Sequence, residues 1–160
     1  MTPLENRTPI PDLIRLATTT ADVDTLLQMM ETFCHHFSYP FDRPLRQQLI
    51  RQMLENPSLG SLWLVVDENR PVGYVVLTYG FALEFGGKTA LVDELFIEEG
   101  HRGGGKGRTV LQQIQQTADE LGVSVILLQT EKYNPRAKRL YESIGFVDQE
   151  RSTLMWKRPN

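Results

Sequence analysis

The chain has 160 residues, 41% of them hydrophobic and 23% charged, a balance that fits one globular domain over residues 1–160 and excludes disordered, collagen-like or coiled-coil chains. A net charge of −3 lacks the basic excess of a nucleic-acid-binding domain, and no apolar run approaches the roughly 20 residues of a membrane-spanning helix. With Cys34 as the single cysteine and no apolar leader, a cytoplasmic protein with neither nucleic acid nor membrane as partner is expected.

In chain order, residues 1–11 are polar, carry three prolines and are expected to be flexible. Leu13 to Ala17 reads as a short strand, and Thr18 to Asp22 supplies helix-capping chemistry. Val23, Leu26, Leu27, Met30, Phe33 and Phe37 then recur at spacings of three and four, which predicts one helix to about Phe37. Tyr39 to Phe41 break it. Asp42 caps a second helix, with Leu45, Leu49, Ile50, Met53 and Leu54 expected inward and an end near Asn56 and Pro57.

Ser61 to Val66 and Val72 to Tyr79 are β-branched and aromatic, and the polar Asp67 to Arg70 between them predicts a hairpin. After Gly86 and Gly87, Thr89 to Ile97 reads as a third long strand containing the acidic pair Asp93 and Glu94. A glycine-rich turn leads into a helix from Gly105 to about Leu121, with Gly122 at its end. Val123 to Gln129 reads as a strand covered on both faces. A short helix starts at Asn134 and Pro135 and ends near Ser143. Phe146 to Asp148 and Thr153 to Trp156 read as closing strands, so the class is mixed α and β around one sheet.

The chemistry concentrates between Val92 and Arg108, where a strand passes through a glycine-rich turn into a helix. Such a turn is an anion cradle: unpaired amides at a helix start point outward, and glycines let a phosphate approach the main chain. Arg102, Lys106 and Arg108 add positive charge. A P-loop would place Ser or Thr after Gly105 and Lys106 to hold magnesium, and residue 107 is glycine. A dinucleotide fingerprint would need its glycines in another register, after a first strand.

Arg102-x-x-Gly105-x-Gly107 fits the R/Q-x-x-G-x-G/A signature, and Asn134, Ala137, Leu140-Tyr141 and Gly145-Phe146 fit a second motif, of the GNAT N-acetyltransferase superfamily, which the chain resembles from about Leu13 onward. The resemblance implies a mostly antiparallel sheet with helices on both faces and two strands splayed to admit acetyl-CoA. It also implies that the backbone of Leu95, Phe96 and Ile97 binds the pantetheine arm, and that the pyrophosphate lies on the amides of Arg102, Gly103, Gly104, Gly105, Lys106 and Gly107. Asn134 would reach the pantetheine, and Tyr141 would stand near the sulfur as general acid. Leu91 to Ile97 and Glu131 to Arg136 look most like the diamine and polyamine acetyltransferases, which favours a small cationic amine with Asp93, Glu94 and Glu84 as counter-charge.

An alkyl ammonium, with a pKa near 10.4 as in lysine, must lose a proton before it attacks a thioester, and a carboxylate is the natural acceptor. Successive strand side chains face opposite ways, so the alternation admits one of Asp93 and Glu94 to a given cleft without saying which. A structural cap remains the other reading of that pair, and a core aromatic the other reading of Tyr141. Cys34, His35 and His36 face different directions on a helix, so no metal is expected. Glu31, Tyr39, Phe41 and Asp42 are candidates to border the acceptor. Acetylation of a protein or aminoglycoside, a non-catalytic acyl-CoA sensor, and pairing into a homodimer are all compatible with the same cofactor site.

Overall fold

A computed structural model describes residues 12–130 and 134–159, so the expectations for residues 1–11 and for Glu131 to Tyr133 lie outside the described residues. The chain forms two compact units, Met1–Gln129 and Thr130–Asn160. The first contains β1 (Ile14–Leu16), α1 (Thr20–His36), α2 (Arg43–Glu55), β2 (Gly60–Asp67), β3 (Arg70–Ala82), β4 (Gly87–Ile97), a 3-10 turn at Glu99–His101, α3 (Lys106–Glu120) and β5 (Val125–Leu128). Among the described residues no helix is long and apolar enough to cross a membrane.

The sheet has the order β1-β2-β3-β4-β5, antiparallel throughout except for the parallel pair β4 and β5. Between β2 and β3 the chain reverses at Glu68 and Asn69, whose φ of 48° and 63° are the left-handed values of a tight hairpin turn. Strand side chains then sort into two layers. Leu62, Leu64, Tyr74, Val76 and Phe96 pack against α1 and α2, while Val65, Val72, Val75, Leu77 and Ile97 pack against Val110 and Ile114 of α3. Helices therefore cover both faces, as the motif resemblance implies.

On α2 the inward side differs from expectation. Leu45 and Leu49 are about half exposed, and Ile50, Met53 and Leu54 face the core. Arg46, four residues before Ile50, shares their side and reaches β4, so the helix is rotated to bring a charge inward and two leucines outward.

The second unit contains α4 (Pro135–Glu142), started by the Asn134 side chain accepting from the Ala137 amide at 3.1 Å. Phe146 to Asp148 and Thr153 to Trp156 form no strand, contrary to their composition, and Val147, Leu154, Met155 and Trp156 are exposed. Strand propensity reflects packing beside a partner, and no ladder pairs these residues.

A heavily bonded carboxylate lies at the start of α1. Thr19 and Asp22 form a reciprocal capping box, and Asp22 also accepts from the Thr18 amide at 2.9 Å and pairs with Arg15 at 2.7 Å. The Arg15 hydrogen bond, reinforced by the backbone amides, holds the Asp22 carboxyl far below its usual pKa. A depressed folded pKa gives stability that is present above the unfolded value of about 3.9 and lost as pH falls through it toward the folded value. Asp22→Ala is expected to cost about 2 kcal/mol, or roughly 4–8 °C in Tm, at pH 7 and less at pH 3, where the unfolded carboxyl is mostly protonated while the folded one is still ionised. Thermal melts of both proteins at the two pH values check this; an equal loss at each would refute the carboxylate account.

Candidate active site

The site begins where the sheet opens. The β4–β5 ladder runs from Thr89↔Val125 to Val92↔Leu128 and stops, while β4 continues to Ile97 paired with β3 alone. The bond from the Glu98 amide to the Val72 carbonyl, 2.8 Å, fixes the phase of that ladder. It makes Ile97↔Gly73 a non-hydrogen-bonded pair, and antiparallel alternation makes Leu95↔Val75 another. The N–H and C=O groups of Leu95 and Ile97 thus point away from β3, toward the edge that β5 has left. The backbone of Phe96 points the other way, to Tyr74, which corrects the expectation that all three residues from Leu95 to Ile97 offer their backbone.

Gly103, Gly104 and Gly105 follow with φ of 95°, 57° and 80°, left-handed conformations that side chains disfavour. A Cβ added at any of the three would meet nothing within 4 Å, so the space in front of the turn is open. No side chain caps α3, and its first ladder bond joins the Thr109 amide to the Gly105 carbonyl at 3.0 Å. The amide of Gly107 therefore stands before the ladder, with the positive end of the helix dipole behind it.

The cationic side chains of the turn are already held. Arg102 donates through Nε to the Ile97 carbonyl at 2.6 Å, closing the end of β4, and its guanidinium lies 5.9 Å from the Phe96 ring. Lys106 is paired with Asp67, which also meets His101 Nδ1 at 3.1 Å. Lys106 and then His101 hold the Asp67 carboxyl below its ordinary pKa. These contacts tie the β2–β3 turn to the glycine-rich turn.

The acidic pair is divided by a β-bulge. Val76 faces Glu94 and Leu77 faces Val92, so Asp93 is one residue too many and the alternation rule fails there. Glu94 accepts from Arg46 of α2 at 2.6 Å and from the Tyr74 hydroxyl at 2.8 Å. Burial, followed by the Glu94 charge, drives the Tyr74 phenol far above its usual pKa and keeps it a donor. Asp93 keeps a solvent-exposed face. Crowding by the surrounding chain and the charge of Glu94 nevertheless raise its carboxyl above the ordinary value, against a smaller opposing effect of Arg46. Glu84 lies in the β3–β4 turn, and the strand from Gly87 to Asp93 puts it roughly 20 Å away, so it is no part of this group.

The profile of the Acetyltransferase (GNAT) family matches residues 26–146. The chain belongs to the GNAT acetyltransferase family. It is 29% identical over 125 residues, 78% of each chain, to an IAA acetyltransferase of Azospirillum brasilense. Its fold superposes on an integron cassette protein from the mobile metagenome of Cole Harbour Salt Marsh with a TM-score of 0.83, 29% identity, and 95% and 94% of the two chains covered. A predicted acetyltransferase from Clostridium acetobutylicum, crystallised with acetyl-CoA, shares the fold at a TM-score of 0.70 and 17% identity, covering 92% and 94%.

This GNAT enzyme carries its second motif on α4. The Asn134 carboxamide oxygen is spent on capping that helix. Partial burial raises the Tyr141 phenol above its usual pKa, and its ring meets Phe146 edge-on at 6.0 Å. Among the described residues no three His, Cys, Asp or Glu side chains gather as metal ligands, and Cys34 is buried. Sequence reasoning missed Arg46, Tyr74 and Asp67. The one signal for Arg46 was its spacing from Ile50 and Met53, which sets a charge on the inward side of α2.

The two acids are expected to behave oppositely when neutralised. Glu94→Gln removes the charge that balances a largely buried Arg46 and should cost about 2 kcal/mol, or roughly 4–8 °C in Tm. A raised folded pKa means that ionised Asp93 opposes folding at neutral pH, so Asp93→Asn should leave Tm unchanged or slightly higher. Melts at pH 7 check both, and the reverse order would overturn the assignment of partners.

Proposed function

We propose that residues 1–160 act as one N-acetyltransferase domain that moves the acetyl group of acetyl-CoA to the primary amine of a small cationic acceptor, by direct attack in a ternary complex. The observation that carries this reading is the continuous backbone track of the β4 edge beyond its β5 ladder, the glycine-rich turn and the α3 N-terminus. The edge residues Leu95 and Ile97 suit the amides of a pantetheine arm laid down like an added strand. The glycine amides of the turn, at Gly103, Gly104, Gly105 and Gly107, suit a pyrophosphate, with Arg102 and Lys106 as flanking charge; the Arg102 and Lys106 amides are themselves bonded to the Glu99 and Gly103 carbonyls. Family membership supports acetyl-CoA as donor.

In the proposed reaction the ammonium first gives a proton to Asp93, directly or through water, because this is the acid whose carboxylate is not paired with an arginine and whose pKa is raised toward neutrality. The amine nitrogen then bonds to the thioester carbonyl carbon, the C–S bond breaks, the nitrogen gives up its second proton to water, and the thiolate takes a proton. Tyr141 is proposed as the donor of that proton, on the strength of its place in the second motif and of a raised pKa that keeps it protonated. A thiolate whose conjugate acid has a pKa of about 8.5 needs help rather than a strong acid.

Acetyl-CoA is expected to raise the melting temperature, and Gly105→Asp to abolish that shift by placing a carboxylate where the pyrophosphate lies; an intact shift in the variant would overturn the cradle. Free-thiol release with a panel of amines tests the transfer itself. A cofactor-dependent shift with no release from amines, aminoglycosides or peptides would point to a non-catalytic acyl-CoA sensor instead.

Tyr141→Phe should lower kcat by about a hundredfold, the lower end for a general acid, without changing CoA affinity. Wild-type turnover with a lowered Tm would make Tyr141 a packing residue, not an acid.

A further inference from the structure

At the end of the sheet where β2 and β4 begin, a cavity of about 650 Å³ opens between the C-terminal ends of α2 and α3. Leu16, Met53, Leu54, Leu62 and Leu121 supply apolar wall, and Ser61, Trp63, Tyr79 and Lys88 line it from the strands. Its size falls within the range of about 300–1,000 Å³ typical of small-molecule sites. Lys88 stands near the start of β4 and Asp93 five residues further on, so roughly 17 Å of strand separate this cavity from the acid of the proposed transfer.

The polar atoms of the strand wall are donors in excess. The Trp63 indole N–H donates to Ser61 Oγ at 2.8 Å, and the Ser61 and Tyr79 hydroxyls share one hydrogen bond, also of 2.8 Å. Two hydroxyls joined by one bond spend one of their two hydrogens, so one O–H is left without an acceptor among the described residues. The Lys88 ammonium lies over the Tyr79 ring, 4.0 Å from its centroid, and no described carboxylate pairs with it. The phenol oxygen is one ring width from that centroid. With Ser61 donating to Tyr79, the ammonium and the phenol O–H lie within the span of one carboxylate whose two oxygens each accept at about 2.8 Å. Glu120, the one acid of the lining, is exposed and accepts from Gln116 at 3.3 Å.

We propose that this cavity is a second binding site, for an apolar monocarboxylate whose body lies among the leucines and Met53 and whose carboxylate meets the Lys88 ammonium and the Tyr79 hydroxyl. The site goes beyond the acetyltransferase reading and does not depend on it. A neutral body of the same shape would cover the spare hydroxyl hydrogen without giving it an acceptor, so the anion is preferred.

Octanoate and 4-phenylbutyrate are the probes, with a flexible and an aromatic body; 1-octanol and acetate are the controls that lack the charge or the body. Titration into the CoA-saturated protein keeps the acids out of the pantetheine track. Trp156→Phe leaves Trp63 as the single tryptophan, and its emission then reports on the cavity wall. At least one acid is expected to change that emission and to raise Tm, with an affinity at least about tenfold above those of octanol and acetate. Lys88→Met should weaken acid binding at least about tenfold, the scale of a charge-assisted hydrogen bond, and leave octanol binding and the acetyl-CoA melting shift unchanged. Lys88→Arg should stay within about threefold of wild type, and Tyr79→Phe should lose about fivefold. Tighter binding of octanoate supports the site with a fatty body, and of 4-phenylbutyrate the site with an aromatic one. No binding of either acid, an affinity no greater than that of octanol, binding abolished by saturating CoA, or an affinity unmoved in Lys88→Met overturns the inference and leaves the acetyltransferase reading standing.

Discussion

A peptide group inside a sheet has to find a partner, and at the end of β4 half of them find none in the sheet. β5 leaves the ladder at Leu128, and from that point the N–H and C=O groups of Leu95 and Ile97 face an edge without a strand among the described residues. A protein that merely needed a closed sheet would pair or cover such an edge. Here Arg102 satisfies one carbonyl with its Nε, and the chain then turns through three left-handed glycines into a helix with no side-chain cap. Among the described residues the open strand edge and the uncapped helix start are contiguous, and the proposed binding of one extended ligand, amides at one end and phosphates at the other, rests on that contiguity.

The extra residue at Asp93 follows from the same strand. A bulge beside an active site re-aims side chains without breaking the sheet. Its effect is to give two adjacent carboxylates different work. Glu94 becomes part of a buried polar group with Arg46 and Tyr74 that fastens α2 to the sheet, while Asp93 stays open to solvent. The same pairing neutralises Glu94, and beside it Phe33 of α1 packs edge-on to Phe96.

Much of the framework was legible along the chain. Helix caps at Thr19 with Asp22, at Asp42 and at Asn134 are local chemistry, decided within three or four residues, and they stand where the sequence puts them. Strand composition located β2 to β5 for the same reason. The failures were all non-local. Phe146 to Asp148 and Thr153 to Trp156 have strand-like residues but no ladder, and Leu45 and Leu49 kept apolar periodicity on a helix that turns Arg46 inward instead.

The sequence by itself determined the glycine-rich turn, the second motif and therefore the family, because a left-handed backbone and an open approach demand glycine wherever they occur. It also named the two acids. Only the tertiary structure decided which acid is free, since that depends on a bulge set by pairing with β3 and on an arginine 48 residues earlier in the chain. The partners of a buried charge are chosen by packing between distant segments, and residue spacing carries no record of that choice.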